Sequence, residues 1–151
     1  QFCIKEGFKG LPMQKELGKS DFSKIPNGLP GVENRLHLLY EGGVVKRGWS
    51  MNRFVQLVST APAKLMGLFP RKGTIAVGSD ADIVVWDPKR PHTISVKTHF
   101  MRVDYNPYEQ MTVSGSPAVV MSRGKILFEG DKFLGKVGDG EFIRRGQYNL
   151  L

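Results

Sequence analysis

The pattern of hydrophobic and polar positions changes character midway along the chain. Residues 1–70 read as loop and helix, and residues 72–137 as short strands punctuated by Gly, Pro and Asp. In "VENRLHLLYEGGV" (32–44), apolar residues at Val32, Leu36, Leu39 and Tyr40 predict a helix, ended by Gly42-Gly43. "SMNRFVQLVS" (50–59) opens on Ser50 as an N-cap and carries Phe54, Val55, Leu57 and Val58 as a broad buried face. "STAPAKLMGL" (59–68) places Pro62 in a helix first turn and Gly67 at a C-cap. Beyond Thr74, "DIVVWD" (82–87) is a continuous apolar run bounded by Asp, which predicts a strand buried on both faces. "HTISVKT" (92–98) alternates as a half-buried strand does. "AVVMSRGKILFEGDKFL" (118–134) predicts two strands around a hairpin turn at Arg123-Gly124, then a second turn at Glu129-Gly130-Asp131. The stretch 1–31 is irregular, and the tail "EFIRRGQYNLL" has no period but ends in apolar residues, which predicts docking.

Composition narrows the class. A chain of 151 residues fits about one domain. Its 18 glycines exceed the roughly 11 that average usage gives, in keeping with many turns. One cysteine, Cys3, excludes an internal disulfide and fits a reducing cytoplasm. No apolar run approaches the roughly 20 residues of a membrane span, and the start has no signal-peptide layout. The first residue is Gln rather than Met, so a processed chain or a piece of a longer one is expected. The net charge of +8 is scattered in singles and in pairs such as Arg144-Arg145, with no interleaved aromatics. Solvated surface, not nucleic-acid binding, is the reading.

Three carboxylates surround the strongest apolar run. Asp80 and Asp82 stand two apart, so a strand would put both on one face as a catalytic pair requires. Gly78-Ser79 before them signals a turn, and charges at strand ends keep an apolar run in register, so Asp80, Asp82 and Asp87 are read as structural. His37, His92 and His99 have no second His or Cys at ligand spacing, and no metal role is assigned to them.

"KGTIAVGSDADIVVWDP" (72–88) resembles the segment that opens the C-terminal β-sandwich of the amidohydrolase superfamily. "QKELGKSDFSKIPNGLPGVENRL" (14–36), "STAPAKLMGLFPRKG" (59–73) and "VDYNPYEQMTVSGSPAVVMSRGKILFEG" (103–130) resemble its cyclic-amidase branch, the dihydropyrimidinases and D-hydantoinases, so the likeness covers essentially the whole chain. The resemblance implies an α/β fold. Residues 1–71 would be the last loop and C-terminal helices of a metal-dependent (β/α)8 hydrolase barrel. Residues 72–137 would be the C-terminal strands of a small β-sandwich, and 138–151 an arm reaching a neighbouring subunit of a homotetramer. It implies a cytoplasmic enzyme that opens hydantoin or dihydropyrimidine rings by attack of a metal-held hydroxide on the ring amide. Two zinc ions bridged by a carboxylated lysine serve that family. Their His, Lys and Asp ligands are expected upstream of Gln1, which leaves no catalytic or metal residue in this chain. One position carries over: Asn27 in "KIPNGLPG", whose matching residue holds the substrate amide through its backbone. Pro26-Asn27-Gly28 reads independently as a tight turn, and Cys3 as an incidental thiol. The alternatives are a non-enzymatic scaffold like the collapsin-response mediators, a catalytically incomplete fragment, and a stand-alone binding module. Retention of Asn27 favours the enzyme.

Overall fold

The computed structural model describes residues 14–25, 27–101 and 103–148. Cys3, Pro26 and the terminal Leu150-Leu151 lie outside the described residues. Two short 3-10 turns, Gln14–Gly18 and Phe22–Lys24, precede a helical layer. Asp21 opens the second of them by accepting the Ser23 N–H at 3.1 Å.

Helix α1 (Arg35–Leu39) runs unbroken into a π-helical segment, Tyr40–Val45. The expected stop at Gly42-Gly43 does not occur. The turn comes at Gly48, which has φ 68°, and the Trp49 N–H reaches back to the Gly43 carbonyl at 3.0 Å. The reason is packing: the Trp49 indole lies against Gly43 in the space a side chain would fill. The glycine admits the ring and does not end the helix.

Helix α2 (Met51–Val55) starts where Ser50 predicts, its hydroxyl accepting the Arg53 N–H at 3.2 Å. It continues through a second π segment, Gln56–Thr60, into α3 (Ala61–Leu65). The two expected helices are therefore one, with Pro62 inside it. Proline removes an N–H and crowds the preceding turn, and the widened π turn just upstream accommodates both effects. At the far end Gly67, φ 65°, donates to the Lys64 carbonyl at 3.1 Å while Leu68 donates to that of Ala63 at 2.8 Å. This is a Schellman ending, at the glycine the sequence nominates. Of the four apolar residues expected on the inner face, only Phe54 is fully buried and Val55 is exposed. Successive helical positions point about 100° apart, so the two neighbours cannot share a face. Val32, expected on the buried face of the first helix, is also exposed.

Strands β1 (Val84–Asp87), β4 (Ser116–Ser122), β5 (Lys125–Glu129) and β6 (Lys132–Phe133) form an antiparallel sheet in the order β1-β4-β5-β6. Strands β2 (His92–Thr93) and β3 (Thr112–Val113) make a separate pair. Val84 pairs with Val120, Val120 with Phe128, and Phe128 with Phe133. The predicted hairpin is present, with Arg123 at φ 49° and Gly124 at φ 79°, the doubly left-handed turn that matches strand twist. Strand β1 is not buried on both faces: Val84 and Val85 are each 45% exposed, because β1 lies at the sheet edge. The strand expected over 92–98 stops after Thr93. The Thr98 and His99 N–H groups both turn back to the Ser95 carbonyl, and Glu109 takes the Val96 N–H at 2.8 Å.

The layers meet at Trp86 of β1. Its ring lies 5.1 Å from Tyr40, 6.2 Å from Phe54 and 5.6 Å from His37, centroid to centroid. Glu41 fastens the same junction by accepting the Ser114 N–H at 2.9 Å. The tail returns to the helix end, where the Gly146 N–H donates to the Gly67 carbonyl at 2.8 Å.

Candidate functional site

Asp80 and Asp82 do come together, but on the chain's own cations. The Lys72 ammonium pairs with both carboxylates, at 2.9 Å from Asp80, and Arg71 Nε lies 3.0 Å from Asp80. Asp82 also accepts the Arg123 N–H at 2.8 Å and so caps the hairpin turn. Hydrogen bonds from Lys72, then Arg71, hold the Asp80 carboxyl below the usual range. Burial pushes Asp82 up, yet Lys72 and the Arg123 N–H outweigh it and the net shift is downward. Groups stabilised as anions by fixed partners do not take up protons readily, which suits a structural clasp and not a general base. Asp87 accepts the Lys89 N–H at 2.9 Å in a local turn. Glu141 extends the clasp to the tail, 2.8 Å from Arg123 and 3.5 Å from Arg71. Asp82→Ala is expected to cost about 1–2 kcal/mol, since it removes both an ion pair and the turn's acceptor; a urea midpoint unchanged from the parent would refute that role.

The three histidines do not converge. His37 and His92 stack with centroids 4.3 Å apart and planes inclined by 21°. Stacked rings aim their lone pairs side by side, not at a common point. His99 Nε2 lies 2.9 Å from the Val103 carbonyl. Among the described residues no three His, Cys, Asp or Glu side chains are grouped to hold a metal ion. The described residues therefore do not fit a metal centre.

The remaining candidate is the loop at Asn27. Asn27 is exposed, and Gly28 beside it has φ 78°, so the turn that presents Asn27 depends on glycine. This loop is fastened to the segment 100–108 at three points. The Tyr105 hydroxyl lies 3.4 Å from the Gly28 carbonyl. The Phe100 N–H donates to Glu33 at 2.7 Å. The Asn106 amide donates to Asn34 Oδ1 at 2.8 Å, with both side chains buried. Asn106 in turn accepts the Tyr108 N–H at 2.9 Å, so its own rotamer is set locally. Glu109 holds the segment's other end, taking the Ser95 hydroxyl and the Val96 N–H at 2.8 Å each. The sequence singles out Asn27 but not Tyr105, Asn106 or Asn34. A polar pair between two apolar periodic segments is the available signal, and it does not name its partner.

A loop held by remote anchors, with glycine-dependent backbone at its exposed tip, is the kind of element that carries recognition on a rigid scaffold. The chain matches the amidohydrolase family over residues 26–127, a span that contains this loop and its anchors, and it belongs to that family. Within it, the likeness is to the cyclic amidases. The D-hydantoinase of Geobacillus stearothermophilus is 51% identical over 144 residues, 95% of this chain and 30% of that protein. The dihydropyrimidinase of Rattus norvegicus is 51% identical over 132 residues, 87% of this chain and 25% of that protein. The D-hydantoinase structure from Bacillus sp. AR9 superposes with a TM-score of 0.84 at 53% identity, covering 94% of this chain and 30% of that one. The chain thus spans under a third of the length of these relatives.

Proposed function

We propose that the full-length protein hydrolyses cyclic amides, opening the ring of hydantoins or dihydropyrimidines, and that this chain contributes the loop that contacts the ring amide. The identity to D-hydantoinases over nearly the whole chain carries the reading. The exposed turn at Asn27-Gly28 supports it, since a flat amide ring is well matched by backbone groups at a tight turn. Residues 1–71 would complete the barrel, 72–137 the sandwich, and 138–151 an arm between subunits of a tetramer. Zinc, as two ions bridged by a carboxylated lysine, would be held by residues upstream of Gln1. When bound, it would supply Lewis-acid activation. The share of this chain is binding and orientation of substrate. Among the described residues no helix is long and apolar enough to cross a membrane, and a cytoplasmic location is part of the proposal.

The test is a ring-opening assay of the full-length protein on dihydrouracil and hydantoin after incubation with zinc, with bound metal measured alongside. Turnover of either ring with bound zinc is expected. An intact folded oligomer with neither turnover nor metal would overturn the reading in favour of a scaffold of the same fold.

A further inference from the structure

We propose that Asn106, with Tyr105 beside it, is a positioning residue for the substrate loop: the buried Asn106–Asn34 hydrogen bond and the Tyr105–Gly28 contact fix the height and pitch of the Asn27 turn. The inference rests on the reading that this turn faces the ring amide. Its own support is geometric. Asn34 is 1% exposed and Asn106 9%, so their 2.8 Å bond is shielded from water, and loss of either amide strands the other. Asn34 immediately precedes α1 and its N–H donates to the Gly31 carbonyl at 3.2 Å, so the stretch between Asn27 and Asn34 is short and pinned at its far end. The near end is met by the Tyr105 hydroxyl at Gly28, the residue after Asn27. Adjacent residues of one segment thus hold both ends of the loop. Backbone recognition depends on where the chain lies and not on which side chain it carries. Control of such a site therefore passes to the residues that place the backbone.

A contact that holds the ring without following the charge that develops at the attacked carbon acts in the ground state and the transition state alike, and a misplaced loop then weakens binding with little effect on the chemical step. In the full-length enzyme, Asn106→Ala is expected to raise KM for dihydrouracil about fivefold or more, with kcat within about twofold. Tyr105→Phe, which removes only a hydroxyl, is expected to raise KM about twofold to threefold with an unchanged Tm. Thr60→Val serves as the structural control, because it deletes a 2.8 Å bond to the Gly73 carbonyl away from the loop; its Tm should fall and its KM should not move. Should Asn106→Ala fail to fold, Tyr105→Phe decides the matter alone. Turnover by the parent with KM unmoved in the variants would overturn the positioning role and leave the cyclic-amidase reading standing. Absence of ring opening in the parent would overturn both.

Discussion

Gly115→Ala is expected to lower the stability of the full-length protein by about 3 kcal/mol. Two independent costs add. Gly115 has φ 75°, a conformation that a Cβ penalises by about 1–2 kcal/mol. A Cβ there would also meet Trp86 Nε1 at 2.7 Å and the Tyr40 ring at 2.8 and 2.9 Å. Neither ring can yield freely. Tyr40 is edge-on to Phe54 at 5.7 Å, and Trp86 is flanked by Tyr40, Phe54 and His37. Overpacking of a filled cluster costs about 1–3 kcal/mol. Urea unfolding measures the sum: a loss of only about 1–2 kcal/mol would mean that the rings repack without strain, and one below about 0.5 kcal/mol would overturn both costs. Combining Gly115→Ala with Trp86→Phe, which withdraws the indole N–H edge, should cost less than the two single changes together, the sign of a shared contact.

The second large effect is acid sensitivity at His37. Its ring is 7% exposed, lies against Trp86 and His92, and neither ring nitrogen makes a well-formed hydrogen bond among the described residues. Burial, and then the neighbouring charge that His92 can carry, push its pKa down from 6.5 to about 4, and the Glu33 backbone opposes them only weakly. The folded form thus keeps His37 neutral over a range in which the unfolded chain takes up a proton. The associated stability is complete above about pH 6.5 and is lost progressively as pH falls towards 4, about 3 kcal/mol in all. His37→Phe keeps a ring in the stack and removes the proton. Between about pH 7.5 and pH 5 the parent should lose about 2 kcal/mol more than this variant. Parallel losses in the two proteins would sink the assignment.

The contrast between what could and could not be read from the sequence tracks the range of the forces involved. Ser50, Gly67, the Arg123-Gly124 turn and the strands around it were legible because each is settled by residues within a few positions. The passage of the first helix through Gly42-Gly43 was not. It depends on where the Trp49 ring lies, and glycine reads as a stop until its neighbour is known. Pro62 does stand in the first turn of α3, but the π segment that joins α3 to α2 without a break leaves no periodic mark. Asn27 is singled out by resemblance alone, whereas its anchors leave no mark in the sequence. Asn34 and Asn106 stand 72 residues apart, and a hydrogen bond between distant amides has no signature in either local pattern. The turn beside Asp80 and Asp82 marks them as structural, but Lys72 as their common partner emerges only when the strand end folds back on residues 71–72.

The bonds that tie the helical layer to the downstream strands and turns span long stretches of sequence: 67 residues from Glu33 to Phe100, 72 from Asn34 to Asn106 and 73 from Glu41 to Ser114. On the ribosome, chain emerges at about 5–20 residues per second, so these helices wait roughly 4–15 seconds for their partners. Trp86 follows Tyr40 by 46 residues and Phe54 by 32, so those rings are covered sooner, whereas the turn at Asn27 waits for the whole interval before its anchors at Tyr105 and Asn106 are made. Vectorial synthesis therefore leaves this turn to be fixed late, and codon pauses placed before Phe100 would lengthen the delay.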